Sequence, residues 1–152
     1  MTMPASPQAL DALGLPPIDQ IGFVVRDLDA AMARYAPLFG PFQRIDSSVK
    51  ACQFRGRVAD VELDIAFGRS GTLEIELIQW LGGESPHAEF TLQGHEGMHH
   101  LRFRVADADA WIAKVRPAGY APIWYKRYSP DITFAYLERP GDPLLIEFLQ
   151  MP

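Results

Sequence analysis

Sliding the sequence over itself by 80 residues sets Gln20-Ile21-Gly22-Phe23-Val24-Val25 on His100-Leu101-Arg102-Phe103-Arg104-Val105. A self-match of this length restricts the fold to two copies of one structural unit. The match continues, with Asp27, Asp29, Ala30, Ala33 and Pro37 falling on Asp107, Asp109, Ala110, Ala113 and Pro117, Met32 on Ile112 and Arg34 on Lys114. A second offset, of 71 residues, superimposes Leu73-Glu74-Ile75-Glu76-Leu77-Ile78-Gln79 on Leu144-Leu145-Ile146-Glu147-Phe148-Leu149-Gln150. The change of offset means that the second copy has shorter loops.

Each copy begins with a strand that passes directly into a helix. Asp27 and Asp107 stand where an N-cap side chain accepts from free backbone N–H groups. Leu28, Met32, Tyr35 and Phe39 recur at helical spacing in the first copy, as do Ala108, Trp111, Ile112 and Val115 in the second. Pro37 and Pro117, with Gly40 and Gly119 beyond them, suit the helix exits. Turn chemistry at Gly68-Arg69-Ser70-Gly71 and Pro140-Gly141-Asp142-Pro143 makes each superimposed apolar segment the last strand of a hairpin. The partner strands run from about Val61 to Phe67 and Ile132 to Leu137, with further strands around Val49 to Phe54 and Pro122 to Lys126. Both copies therefore read βαβββ, about residues 18–80 and 98–150. Residues 18–150 form one domain, preceded by an arm at 1–17 that carries four prolines and little periodicity.

The chain has 152 residues, 48% of them apolar, enough to bury a core within one domain. A net charge of -5, with 14 Lys and Arg residues scattered singly, argues against a nucleic-acid partner. The apolar runs are strand-sized, and the N-terminus lacks a basic region followed by an apolar one, so the expectation is a soluble, unexported, cytoplasmic protein with no membrane partner. Cys52 stands alone, cannot form an internal disulfide, and reads as a strand filler.

Strand parity points to the chemistry, because side chains two apart share a face. If Ile21, Phe23, Val25, Leu101, Phe103 and Val105 meet the helices, Gln20 and His100 face the opposite, concave side. Leu73, Ile75 and Leu77 pair with Leu144, Ile146 and Phe148 as one apolar face, which leaves Glu76 and Glu147 on the other. A carboxylate among aliphatic strand neighbours is costly unless paired or metal-bound. Taken singly, either Glu reads equally as an edge residue facing water, and His100 as a structural histidine; it is the fourfold placement that carries weight. Gln20, Glu76, His100 and Glu147 form an oxygen-rich set whose two negative charges balance one divalent cation, for which Zn, Co, Ni, Mn or Mg fits. The other histidines, His87, His95 and His99, fall in or beside the join between copies and read as surface residues.

These residues resemble the vicinal oxygen chelate superfamily, the glyoxalase and bleomycin-resistance fold, over roughly residues 18–150. Within it the methylmalonyl-CoA epimerases look most similar, through Ile21-Gly22, Glu76-Leu77, Leu81-Gly82, Glu84-Ser85-Pro86, Phe90 and Gly97-Met98-His99-His100. The epimerases usually carry His where this chain has Gln20, and Gln at that place is familiar from glyoxalase I. The positions that supply Arg and Asn to glutathione in glyoxalase I are Val24 and Trp80 here. The resemblance implies an α+β fold, two tandem βαβββ modules forming a cupped, barrel-like mixed sheet with helices outside. It further implies one divalent ion (Zn, Co, Ni or Mn) and a homodimer.

By the same resemblance the activity is that of a metal-dependent isomerase or epimerase acting on a small carbonyl or acyl-thioester substrate through a metal-stabilised enolate. Glu147 is then the first choice for proton transfer, with Glu76 as ligand or second base. Glu62 or Asp64, on the neighbouring strand, serves the opposite face or simply marks an edge. Arg102 shares the His100 face and suits a substrate carboxylate. Trp80, Phe67, Phe134 and Tyr136 are candidates for an apolar cup. Two alternatives stand beside this reading: a glyoxalase I-type lyase acting on a thiol adduct, and a metal-free small-molecule binding protein of the same fold.

Overall fold

The computed structural model describes residues 13–152; residues 1–12 of the expected arm lie outside the described residues. The first module comprises β1 (Gln20–Val24), α1 (Leu28–Phe39), β2 (Gln43–Asp46), β3 (Val49–Phe54), β4 (Arg57–Ser70) and β5 (Leu73–Gly83). A short helix, α2 (Pro86–Leu92), leads into the second: β6 (Gly97–Val105), α3 (Ala108–Val115), β7 (Ala121–Ser129), β8 (Ile132–Arg139) and β9 (Asp142–Gln150).

Eight strands close on themselves in the order β4-β3-β7-β8-β9-β6-β1-β5, and β5 returns to β4. Closure depends on the 14 residues of β4. One end of that strand, Arg57 to Val61, pairs with β3, and the stretch from Val61 to Ser70 pairs with β5. β1 lies parallel to β5 and β6 parallel to β9, while β1 and β6 run antiparallel along the seam between the modules. The barrel is thus mixed, with the helices outside, and each module supplies four of its staves.

Three apolar clusters follow from the strand parity. Ile75 and Leu77 pack outward with Ala66 against Leu28 and Ala31 of α1. Ile146 and Phe148 do the same against Ala108, Ile112 and Val115 of α3. The inward faces, with Val24, Leu63, Ile65, Ile78, Trp124, Phe134, Tyr136 and Leu145, make the third cluster. Cys52, fully buried in it, gives its thiol hydrogen to the Tyr125 carbonyl at 3.2 Å, and burial pushes the thiol up to about 12, so it stays protonated and inert.

Both long helices begin in the same way. Asp27 accepts from Ala30 N–H at 3.0 Å and Asp107 from Ala110 N–H at 3.1 Å. The last residues of the superimposed segments then add a second cap, with Gln79 Oε1 accepting from Leu28 N–H at 2.8 Å and Gln150 Oε1 from Ala108 N–H at 3.0 Å. Each module thereby ties its helix start to its own last strand and satisfies two of the four free donors there.

Several elements differ from the sequence reading. β2 is short, wholly exposed and built from Gln43-Arg44-Ile45-Asp46, which offers no apolar alternation to detect. α1 runs through Pro37 to Phe39, where the proline gives up one i→i−4 hydrogen bond, to the Ala33 carbonyl, and the helix ends shortly after it at Gly40. Residues 86–92, in the join between the two copies, form α2, an element to which the sequence reading assigned no helix. Replacing Asp107 with Ala should cost about 1 kcal/mol, the usual worth of an N-cap, read as a lower urea midpoint with an unchanged slope.

Candidate metal centre

The barrel interior gathers the four residues singled out by parity. Gln20 and His100 are fully buried, and Glu76 and Glu147 nearly so. Around His100 Nε2 stand Gln20 Oε1 at 3.2 Å, Glu76 Oε1 at 3.3 Å and Glu147 Oε1 at 3.4 Å. Donors bound to one ion at about 2.0–2.2 Å lie about 2.8–3.6 Å apart, from octahedral to tetrahedral geometry. The separations therefore suit ligands of a single ion.

Register explains the convergence. Across the seam Gly22 opposes His100 and Gln20 opposes Arg102. Glu76 lies beside Gly22 on one side, and Glu147 beside Arg102 on the other. A Cβ at Gly22 would sit 2.1 Å from His100 Cε1, so the imidazole occupies the space that the glycine leaves free. Arg102 takes the equivalent place in the second module. Asp19 holds it from behind, Nε to Oδ1 at 2.9 Å and Nη2 to Oδ2 at 3.1 Å, with Glu74 at 3.5 Å. Glu74 also accepts from Gln20 Nε2 at 2.7 Å, which turns the Gln20 amide oxygen toward His100.

Two features of the cluster would be relieved by a cation. Glu76 Oε1 is buried without a hydrogen-bond partner. Burial, reinforced by the Glu76 charge and only partly offset by Arg102, raises the Glu147 carboxyl well above its ordinary range. Both effects are what two desolvated carboxylates experience when no positive charge lies between them, and a divalent ion among the four donors removes them.

A second group lies against this one. His87, His99 and His100 are all buried, with nitrogens that fall within 4.8 Å of one another, a set able to coordinate a divalent metal. Hydrogen bonds occupy two of these rings. His99 faces His100, Nδ1 to Nδ1 at 3.0 Å, with the Pro86 carbonyl near its ring. With His99 Nδ1 accepting and His100 Nδ1–H donating, the His100 lone pair falls on Nε2, which faces Gln20, Glu76 and Glu147. His87 lies between Ser85 Oγ at 3.1 Å and Tyr136 Oη at 3.3 Å. Both nitrogens of His87 thus have polar partners, and among the three rings His100 is the one that also faces Gln20, Glu76 and Glu147.

The burial of His87 and His99 corrects the expectation of surface roles; among those three only His95 is exposed. α2 covers them, starting from Ser85 as N-cap with Pro86 at its first position. That Ser-Pro pair is a helix-start signal and could have located the element in the sequence. His99 faces outward from the barrel, as parity requires, but toward α2 and Phe90 rather than water.

Other candidates fall elsewhere. Glu62 is exposed on the outer face of β4 and is not brought to the cluster; Asp64 is outside with it, ion-paired to Arg44. Phe67 opposes Glu76, so it is the odd-numbered residues of β4 that face inward. Trp80 packs at the rim of the interior cluster and donates to the Gly83 carbonyl at 3.1 Å. A cavity of about 140 Å³ opens onto Gln20, Glu76, Glu147, Arg102 and Tyr136. Its other walls include Val49, Leu63, Ile65, Ile78, Trp124, Tyr128 and Phe134. Trp80 and Glu62 are not among its walls.

Fold and centre together define a class of proteins, closed barrels of paired βαβββ modules with a polar donor set at the middle. The family model described as Glyoxalase/Bleomycin resistance protein/Dioxygenase superfamily matches residues 19–136, and the chain belongs to that superfamily. No curated protein matches the chain. Among solved structures, a hypothetical protein from Bacillus halodurans C-125 is 24% identical, with 90% of this chain and 94% of that one covered and a TM-score of 0.62. Methylmalonyl-CoA epimerase from Mycobacterium tuberculosis is 21% identical, covering 91% and 89%, at a TM-score of 0.62. The Streptomyces coelicolor methylmalonyl-CoA epimerase in complex with 2-nitronate-propionyl-CoA is 25% identical, covering 90% and 95%, at a TM-score of 0.58. Among the described residues no helix is long and apolar enough to cross a membrane.

Burial holds the pKa values of both His87 and His99 well below 6.5. The unfolded chain therefore binds more protons than the folded one as pH falls below about 6.5, and stability falls with it, by up to about 1.4 kcal/mol per pH unit for each ring. Glu147, raised in the folded state, works in the opposite sense and offsets part of this loss. Chelator-treated His87→Gln should thus lose less stability between pH 6.5 and 5 than the chelator-treated parent, as measured by urea denaturation. Gly22→Ala should fold but displace His100, seen as at least a tenfold weaker affinity for added zinc.

Proposed function

We propose that the protein is a metal-dependent isomerase or epimerase that removes and returns a proton next to a carbonyl or thioester group. The observation that carries this reading is the pair of buried carboxylates, Glu76 and Glu147, flanking the His100 Nε2 lone pair at the wall of a small cavity. Gln20, Glu76, His100 and Glu147 would hold the ion, and zinc, cobalt, nickel or manganese suits an oxygen-rich set with one imidazole. Bound there, a divalent ion supplies positive charge that stabilises the negative charge developing on a carbonyl oxygen.

The chain's own groups do the rest. Glu147 is the proton acceptor, a buried carboxylate on the cavity wall that can take a proton from a bound substrate and give it back. Arg102, beside Glu147 and fixed by Asp19, is placed for a negatively charged substrate group. Glu76, related to Glu147 by the repeat, is the metal ligand or second base on the other side of His100. The apolar walls exclude water from the acyl portion of the substrate.

The similarity to epimerase structures supports an acyl thioester as substrate, and the resemblance alone supports a cytoplasmic homodimer. A glyoxalase I-type lyase would use the same ligands, but Val24 is core and Trp80 is outside the cavity, so the positions that contact glutathione there do not serve it here. A sequestering protein without metal has no use for two carboxylates buried at such cost.

Protein purified without chelator should carry about one divalent ion per chain, and His100→Ala should carry none, by elemental analysis. Uptake of solvent deuterium into methylmalonyl-CoA should then fall by ~10²-fold or more in Glu147→Gln. Unchanged exchange in that variant would remove Glu147 from the mechanism.

A further inference from the structure

His87 and Tyr136 have no part in the mechanism above, yet both are buried, and both line the cavity beside the donor set. Their hydrogen bonds have a readable direction. Ser85 Oγ, the N-cap of α2, accepts from Ala88 N–H at 3.3 Å. Its own hydrogen is then available to His87 Nδ1 at 3.1 Å, and with Nδ1 accepting it the ring hydrogen sits on Nε2, the direction adopted here. His87 Nε2–H donates in turn to Tyr136 Oη at 3.3 Å. With a lone pair of Oη engaged, the Tyr136 hydrogen must point elsewhere. His100 Nε2 lies within reach of it, at 3.4 Å. That nitrogen is the one facing Gln20, Glu76 and Glu147, so an ion held by the four residues takes its lone pair and leaves the Tyr136 hydroxyl directed at the cavity.

The surroundings add to this. Trp124, also on the cavity wall, has a buried indole N–H without a partner. Its ring meets both His87 and Tyr136 edge-on, with centroids at 5.1 and 4.9 Å. Two neutral donors thus stand on one wall and Arg102 on another, an arrangement suited to a small guest rich in acceptor oxygens.

We propose that Tyr136 donates its hydroxyl hydrogen to an oxygen of a small carbonyl or carboxylate compound bound in the cavity, and that His87, held by Ser85, is the positioning residue that aims it. The assignment of the guest rests on the metal-dependent reading above; the direction of the chain Ser85–His87–Tyr136 does not. Reversing one tautomer reverses the outcome: with the ring hydrogen on Nδ1, His87 Nε2 would accept from Tyr136 and turn the hydroxyl away from the cavity.

Nitrogen-15 NMR of the histidine rings in chelator-treated protein tests that direction without metal or substrate. The expected result is His87 protonated on Nε2 alone, a pattern kept in Ser85→Thr and lost to a mixture of forms in Ser85→Ala. A hydrogen on Nδ1 in the parent protein overturns the proposal. The second arm uses zinc-loaded protein and acetohydroxamate, a small chelating carbonyl mimic. Tyr136→Phe and His87→Gln should keep the zinc and bind the mimic ~3- to 10-fold more weakly, the range of one hydrogen bond. Zinc retained with unchanged affinity in Tyr136→Phe overturns the donor role, whereas failure of the parent to hold zinc overturns the metal reading and leaves the tautomer result to decide the chain's direction.

Discussion

Two carboxylates enclosed within an apolar barrel are the constraint to which the rest of the structure answers. Removing an ionised carboxylate from water costs several kcal/mol even after relaxation, and here Glu76 and Glu147 also repel each other. The barrel relieves this only in part, through Arg102 beside Glu147. Glu76 Oε1 stays without a hydrogen-bond partner, and Gln20 turns an amide oxygen, another acceptor, toward the same place. A cation among the four donors would offset that cost, which is the physical basis of the proposed metal centre.

Duplication accounts for the placement and divergence for the handedness. The repeat puts Gln20 opposite Arg102 and Gly22 opposite His100, with a glutamate beside each of the second pair of equivalent positions. Had the two modules stayed identical, the centre would be symmetric. Instead one position lost its side chain and admitted the imidazole, while its counterpart acquired a guanidinium anchored by Asp19. Glu147 therefore has a cationic neighbour that Glu76 lacks, and the two faces of a substrate would meet different surroundings.

The fold and the four inward residues were legible because both repeats preserve strand parity over stretches long enough to fix which face is apolar. Of the two readings of Glu62 and Asp64, the one that leaves them outside the site holds. Ser70 pairs with Leu73 and Phe67 with Glu76, so odd positions of β4 share a face with even positions of β5, and the even-numbered Glu62 and Asp64 lie on the face opposite to Glu76. Equal parity in residue number places two residues on one face only within a strand; across a hairpin the turn length decides it. His87 and His99 were missed for another reason. Neither face of β6 is solvent where α2 lies, and a seven-residue helix without apolar periodicity leaves only its Ser-Pro start as a trace.

The chemistry of that covering layer follows from the charge it lies against. A carboxylate behind His100 would orient the ring equally well, but it would add a third negative charge to a pocket already holding two, and the total would exceed what one divalent ion neutralises. Neutral imidazoles avoid this. Burial keeps His87 and His99 uncharged, so they fix hydrogen-bond direction at His100 and Tyr136 while leaving the charge balance of the centre unchanged. The helix at the join between the modules is thus the element through which the Ser85 hydroxyl sets the orientation of His87 beside the barrel interior.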